Sequence, residues 1–275
     1  MNSEAVFIGI DVACAKKKRL PVCFASLSGN LLEPLELPGS LVRLIPNGSG
    51  NQTIREEAPF RPQAEKATAA IKAICEAMGW TVGRIAIDAP AMPGLGLRTC
   101  EAALFAAGLS AFKTPHKDEW PKIQAICRTH LQSGGDLARL PYANKIWMLY
   151  GFELFAALRR AGFQPIETYP FAIVRALLPA HPHKSTPEGY GMQLSAVAER
   201  TGWGAAALAA RLTRCVGGAK HDRLDAFMAA WIASSDLAEL RVYGNPQDLN
   251  DAIWAPRNVY VARANLPLQA ARFQA

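Results

Sequence analysis

The sequence predicts an α/β fold in which helices cover a mixed five-stranded sheet. Short apolar runs rich in β-branched residues alternate with longer segments whose apolar residues recur at helical spacing. The first three runs are separated only by short connections, which favours an antiparallel meander, whereas the later runs are separated by helices, which favours parallel strands. We therefore expect the strand order 3-2-1-4-5, with the first and fourth strands adjacent and parallel.

The N-terminal runs account for the meander. Residues 5–13, AVFIGIDVA, are almost continuously apolar, as is typical of a central strand buried on both faces. Residues 20–28 predict a second strand, Gly29 and Asn30 a turn, and residues 31–37 a third strand. The following segment, 46–62, is rich in Pro, Gly, Asn and Ser and is interpreted as a loop.

The remaining elements alternate between helices and strands. Apolar residues at steps of three and four predict an amphipathic helix over 63–78. The run 82–88 predicts a strand that ends at Asp88, and 163–170 predicts a short strand closed by proline. The last long helix is expected to begin at His221.

These elements are interpreted as one domain over residues 1–240. Within it, residues 95–165 are expected to form a mostly helical insertion that packs beside the ends of the strands. Residues 241–275 are expected to form a C-terminal extension with a short strand at 259–262.

Composition excludes several classes of protein. With 275 residues, 50% of them apolar and only 19% charged, the chain is not intrinsically disordered. It has no apolar stretch of membrane-spanning length, and acidic Glu4 and Asp11 near its start do not resemble a secretory signal. The six cysteines include no CxxC spacing, so free thiols and a cytoplasmic location are expected.

The chain is basic, with a net charge of +7 and a pI near 9.2. The excess positive charge is spread along the sequence, so it permits a nucleic-acid partner without identifying one. The one dense run, Lys16 to Arg19, is interpreted as a solvated loop. The sequence does not indicate an oligomeric state.

Four aspartates lie at positions where an unpaired charge would be energetically costly. Asp11 and Asp88 lie at the ends of apolar strands. Asp222 and Asp225 lie three positions apart, on one face of the last helix and near its start. In open α/β sheets, ligands bind at the carboxyl ends of the strands. Clustered carboxylates repel one another, and Mg²⁺ or Mn²⁺, which prefer oxygen ligands, would relieve that repulsion.

Other polar residues are auxiliary candidates. Glu167 is interpreted as either a fifth ligand or the partner of an arginine. Arg98 either contacts a phosphate, orients a carboxylate or forms a surface pair with Glu101. His221 is either a proton shuttle beside Asp222 or an ordinary exposed histidine, and His181-Pro-His183 is interpreted as part of a loop.

The element order, the aspartate-terminated runs FIGID and IAID, and the helix containing Asp222 and Asp225 resemble the ribonuclease H-like superfamily, with a RuvC-like carboxylate arrangement. More narrowly, the chain resembles an uncharacterised family of predicted RNase H-like nucleases over about residues 5–235. The motifs that resemble this family are Asp88-Ala-Pro, Arg98-Thr-Cys-Glu101, Glu167-Thr-Tyr-Pro170 and Asp222-Arg-Leu-Asp225-Ala-Phe-Met-Ala-Ala. The sequence departs from the family after Asp11, where Val12-Ala13-Cys14 replaces an early small residue such as glycine.

This resemblance implies phosphodiester hydrolysis assisted by Mg²⁺ or Mn²⁺. Asp11, Asp88, Asp222 and Asp225 would hold one or two ions, which in the two-metal scheme lie ~3.5–4 Å apart. One ion lowers the pKa of the attacking water and the other stabilises the leaving oxygen. Asp11 and Asp225 are expected to be the least replaceable ligands.

Two alternatives remain open. The first is a non-catalytic module of the same fold that binds nucleic acid or protein; carboxylates neutralised by arginine, with no room for an ion, would favour it. The second is an actin-like or sugar-kinase-type phosphotransferase, which also begins with a Gly-Ile-Asp strand. That class needs Gly- or Thr-rich phosphate loops, and the residues after Asp11 and Asp88 provide none.

Overall fold

The computed structural model describes residues 5–12, 18–48, 50–111, 113–178 and 180–257. The strands are β1 (Ala5–Asp11), β2 (Val22–Ser28), β3 (Leu31–Pro34), β4 (Thr81–Asp88), β5 (Ile166–Thr168), β6 (Leu240–Gly244) and β7 (Ala252–Pro256). The α-helices are α1 (Gly39–Val42), α2 (Arg61–Met78), α3 (Thr99–Ala106), α4 (Trp120–Gln132), α5 (Ala143–Arg160), α6 (Pro170–Leu177), α7 (Pro187–Arg200), α8 (Ala205–Cys215) and α9 (Lys220–Ser234). None of the helices in these ranges has the length and apolar character needed to cross a membrane.

The strands form one mixed sheet in the order β3-β2-β1-β4-β5-β7-β6. The first five follow the predicted order, and the prediction that β1 and β4 are adjacent and parallel is confirmed. The sheet has seven strands rather than five, because β7 pairs in parallel with β5 and β6 pairs antiparallel with β7. Both additional strands come from residues 240–256; the strand expected at 259–262 lies outside the described residues.

Alternation along β1 separates two hydrophobic clusters on opposite faces of the sheet. Val6, Ile8 and Ile10 belong to the cluster that contains the buried faces of α2, α4 and α5. The opposite cluster contains the buried faces of α6, α7, α8 and α9. The sheet is therefore the middle layer of three, as the apolar composition of β1 predicts.

Helix α9 crosses β1 at a position where only glycine fits. A Cβ atom on Gly9 would lie 2.0 Å from the carbonyl oxygen of Ala226 and 2.1 Å from the amide nitrogen of Ala230. The register partner of Gly9 on β4 is the small residue Ala86. Small residues on both strands thus allow the helix backbone to approach the backbone of the sheet.

Within the described part of residues 95–165, helices α3 and α5 pack in two different places. Helix α5 packs against α2, and it also contacts the chain just after β4, since a Cβ on Gly151 would lie 2.6 Å from the Cβ of Ala89. Helix α3 instead packs against β6 at the far edge of the sheet. The carboxylate of Asp251 accepts hydrogen bonds from the amides of Thr99 and Cys100 at 2.8 and 2.9 Å, which links α3 to the chain before β7.

Candidate metal centre

Asp11 and Asp88 are the terminal residues of adjacent parallel strands and are direct register partners. Neighbouring strands lie about 4.8 Å apart, so the backbone positions of the two aspartates are close together. Since Gly9 and Ala86 are two positions earlier, strand alternation turns both aspartates toward the face covered by α9.

Helix α9 supplies the third carboxylate. Asp225 lies in its second turn, and the neighbouring Leu224 and Phe227 are buried in the core that fixes the helix against the sheet. Carboxylate oxygens of Asp11, Asp88 and Asp225 all lie within 4.8 Å of one another. We call these three residues the Asp triad.

The electrostatics of the Asp triad disfavour three negative charges. Desolvation, reinforced by the charges of Asp225 and Asp88, raises the pKa of Asp11 well above its ordinary value. Desolvation and the charge of Asp225 raise the pKa of Asp88 to about 8, although Lys184 opposes them. Desolvation also raises the pKa of Asp225, against the opposing effect of Lys184. Additional positive charge nearby would therefore stabilise the ionised form of the Asp triad.

Lys184 supplies part of that charge. Its ammonium donates a hydrogen bond to Oδ2 of Asp225. Burial lowers the pKa of Lys184, but the charges of Asp225, Asp88 and Asp11 outweigh burial and raise it, so the side chain is positively charged. Sequence reasoning missed this residue, because a lysine between two helices carries no pattern that distinguishes it from a solvated one.

The donor set of the Asp triad fits a hard divalent cation. Its members offer converging carboxylate oxygens, the ligand type that Mg²⁺ and Mn²⁺ prefer. One ammonium cannot balance three carboxylates, so the group retains negative charge when all are ionised. The residues present are thus compatible with a bound metal ion.

Asp222 occupies a different position from the Asp triad. Its Oδ2 accepts a hydrogen bond from the Ala219 amide at 3.1 Å, and its Oδ1 lies 3.1 Å from Nε2 of His221. It therefore satisfies an amide at the N-terminus of α9, where a negative charge is also favoured by the helix dipole. Its charge nevertheless raises the pKa of Asp11, so it lies close enough to influence the site. Its role as a ligand remains a prediction.

Glu167 is held by an arginine. Its two carboxylate oxygens accept hydrogen bonds from Arg98 at 3.1 and 2.5 Å, and one also accepts the Ala91 amide at 3.0 Å. Glu167 is in register with Ile87 rather than Asp88, so alternation turns it to the other face of the sheet. The interpretation of Arg98 and Glu101 as a surface pair is wrong: both are buried, 3.5 Å apart, and Glu101 accepts the amide of Thr114.

The family model described as "Protein of unknown function (DUF429)" matches residues 39–248. The chain belongs to this family. The DUF429 match includes Asp88, Asp225, Arg98 and Glu167, whereas Asp11 precedes it. Searches of curated proteins and of solved structures give no significant match.

In this DUF429 chain, a cavity of about 470 Å³ lies directly beside the Asp triad. Asp88, Asp225 and Lys184 form one part of its lining, and Ser110 and Trp147, from residues 95–165, form another. The hydroxyl of Tyr169 donates a hydrogen bond to the carbonyl of Ser110 at 2.8 Å and so joins the residue that precedes α6 to the chain that follows α3. The carboxylates thus border a space large enough for a small organic group.

Proposed function

We propose that this DUF429 protein is a nuclease that uses Mg²⁺ or Mn²⁺ to hydrolyse phosphodiester bonds at the Asp triad. The supporting observation is the convergence, within 4.8 Å, of carboxylates from β1, β4 and α9. Asp11 and Asp88 lie at the carboxyl ends of parallel strands, where α/β sheets bind ligands. The strand order β3-β2-β1-β4-β5 agrees with a ribonuclease H-like fold.

The chain's own residues have distinct parts in this proposal. Asp11, Asp88 and Asp225 would hold the cation, which supplies Lewis-acid activation of water and of the phosphate. Lys184, whose ammonium adjoins Asp225, would contact a non-bridging oxygen of the phosphate. His221, beside Asp222 at the start of α9, would receive or return a proton at its imidazole nitrogen.

Arg98 and Glu167 would act as positioning residues rather than ligands. Their buried ion pair also binds the Ala91 amide and the Asn250 carbonyl, so it fixes the chain that follows β4. Because Asp88 ends β4, this network would hold the Asp88 carboxylate in place. Asp222 would orient the first turn of α9 and add negative charge near Asp11.

We also propose that the protein works in the cytoplasm with nucleic acid as its partner. Among the described residues, five cysteines are free and buried, which suits a reducing compartment. The net charge of +7 favours a polyanionic partner, in contrast to the acidic Asp triad.

A non-catalytic nucleic-acid-binding module is the second candidate. The ion pair between Lys184 and Asp225 favours it, because an internal ammonium already neutralises part of the carboxylate charge. In that case the Asp triad and Lys184 would stabilise the fold without a metal ion. The two candidates differ in whether removal of a carboxylate abolishes a reaction.

The test is an activity panel with single-stranded, duplex and hybrid nucleic acids in the presence of Mn²⁺. Asp11→Asn and Asp225→Asn should each reduce cleavage by orders of magnitude, while Asp118→Asn, whose side chain is 76% exposed, should not. Glu101→Gln is unsuitable as a neutral control, because Glu101 is buried. Absence of cleavage by wild type, with nucleic-acid binding unchanged in Asp11→Asn, would favour the binding module.

A further inference from the structure

The cavity beside the Asp triad has three large aromatic side chains in its walls. Trp147 of α5 and Phe171 of α6 line it together with Tyr169, which directly precedes α6. The rings of Tyr169 and Phe171 are 5.9 Å apart, and Phe171 meets the imidazole of His181 edge-on at 6.2 Å. A flat aromatic ligand could therefore contact several ring faces or edges in this space.

His181, which also lines the cavity, carries a buried polar atom without a hydrogen-bond partner. Its Nδ1 lies 2.9 Å from the Pro182 carbonyl and 3.2 Å from the side-chain amide of Gln193. Its Nε2 is shielded from solvent and has no hydrogen-bond partner. Since buried polar atoms are normally paired, a rotation of this imidazole toward the cavity that His181 lines would let a bound ligand's polar edge supply the missing partner.

We propose that this cavity binds one unstacked nucleobase, while the phosphate attached to it lies at the Asp triad. The inference rests on the proposed function only for the position of the phosphate. It assigns the substrate class: single-stranded nucleic acid, or a strand end with free bases, in preference to an intact duplex.

Three features favour a nucleobase over other ligands. The cavity volume of about 470 Å³ is within the usual range for small-molecule sites, so it admits a nucleoside but not a duplex. Aromatic side chains stack on bases irrespective of sequence. Lys184 lines the cavity and donates a hydrogen bond to Asp225, so its positive charge would attract the linked phosphate. A base inside a stacked duplex cannot reach such a cavity unless it leaves the stack.

The first experiment measures binding without catalysis. Isothermal titration in Ca²⁺ would compare the four common nucleoside 5′-monophosphates with ribose 5-phosphate, which lacks the base. We expect at least one nucleotide to bind at least tenfold more tightly than ribose 5-phosphate. We also expect Phe171→Leu and His181→Ala to weaken that nucleotide at least fivefold. The matched control is Phe105→Leu, because Phe105 is half exposed and is not part of the cavity lining.

Equal affinity for ribose 5-phosphate would overturn the inference. So would unchanged nucleotide affinity in variants whose thermal unfolding shows that they are folded. The comparison with ribose 5-phosphate uses the wild-type chain and remains decisive if both cavity variants misfold.

The second experiment separates this inference from the nuclease proposal. Single strands, duplexes of the same sequence and single strands with one abasic sugar would be incubated with Mn²⁺. Base-dependent binding without any cleavage would sink the nuclease proposal and leave the nucleobase site standing. Equal cleavage of duplex, single-stranded and abasic substrates, unaffected by Phe171→Leu, would retain the nuclease and reject the nucleobase site.

Discussion

Gly9 determines how closely α9 approaches the sheet, and so where Asp225 lies. A side chain there would meet the backbone at Ala226 and Ala230, which cannot rotate away as a flexible side chain could. Gly9→Ala should lower the free energy of unfolding by about 3 kcal/mol, the upper end for overpacked cores. It should also weaken Mn²⁺ binding, because α9 must move outward.

Denaturant unfolding and a Mn²⁺ titration would check this prediction. Gly39→Ala is the control, because a Cβ at Gly39 would have no neighbour within 4 Å. If Gly9→Ala were as stable as Gly39→Ala, close contact at Gly9 would not determine the position of α9.

Asp88 should give the metal-free protein a characteristic pH dependence. Its pKa of about 8 exceeds that of the unfolded chain, so between about pH 4 and pH 8 the folded state holds a proton that the unfolded state has released. Its contribution to stability is therefore complete below pH 4 and is lost as the pH rises through 8. Asp88→Asn cannot ionise, so its free energy of unfolding should rise relative to that of wild type across this range. The rise should exceed about 1.4 kcal/mol, the value that corresponds to a pKa difference of one unit.

Urea unfolding in EDTA at several pH values would measure that difference. Exposed Asp118→Asn should show no such trend. A constant difference between Asp88→Asn and wild type from pH 4 to pH 8 would mean that Asp88 is not protonated at neutral pH.

The residues of the Asp triad were more predictable from sequence than the residues that they contact. Asp11 and Asp88 were identifiable because a charge at the end of an apolar strand is unusual, and Asp225 because it lies on the face of a helix that must pack on that strand. Lys184 and His181 belong to a loop whose course depends on tertiary packing. Likewise, the pairing of Arg98 with Glu167 joins positions 69 residues apart, and local spacing favoured Glu101 instead.

At the scale of elements, the first five strands were predicted, including the short β3 and β5, whereas the two C-terminal strands β6 and β7 were missed. Strand β1 has seven residues with β-branched character, whereas β7 has five, Ala252–Pro256, all of them buried. A short run buried on both faces shows no alternation, so periodicity cannot distinguish it from a loop or a helix segment. Strand β6 alternates only partly and becomes recognisable through its pairing with β7.

The N-terminus of α3 depends on a residue far away in sequence. Asp251 accepts hydrogen bonds from the Thr99 hydroxyl and from the amides of Thr99 and Cys100. Asp251→Ala should therefore lower the free energy of unfolding by about 1 kcal/mol, as loss of a helix cap usually does.

The effect of Asp251→Ala should depend on pH. Partial burial alone would raise the pKa of Asp251, but hydrogen bonds from Cys100 and Thr99 outweigh burial and lower it. The stabilisation is thus present at neutral pH and is lost as acidification takes the pH below 4. Thermal unfolding at two pH values would measure it, with Asp118→Ala as the control. An equal loss in both variants at neutral pH would contradict the capping role.

For the whole molecule, metal binding should appear as stability. A ligand that binds only the folded state at 100 times its Kd adds about 2.7 kcal/mol, which for a chain of this size corresponds to roughly 5–10 °C in Tm. Mn²⁺ should therefore raise the Tm of wild type but not that of Asp225→Asn.

Lys184→Met should bind Mn²⁺ about tenfold more tightly, because it removes the ammonium that competes for Asp225.

Differential scanning calorimetry with and without Mn²⁺ would test both statements. Ca²⁺ and Mg²⁺ provide a comparison of cations, and Lys72→Met, on the exposed side of α2, controls for the general loss of a lysine. A Tm of wild type that does not change with Mn²⁺ would mean that the Asp triad does not bind this cation in the folded protein.

The sheet order also has a consequence for biosynthesis. Strand β7 lies between β5 and β6, although it is the last of the described strands to leave the ribosome. Until β7 is synthesised, the three-residue β5 remains an unpaired edge strand, and β6 has no neighbouring strand to pair with. The nascent chain therefore passes through a period in which the first five strands can assemble while the far border of the sheet stays open. Chaperone contact during translation should concentrate in that interval.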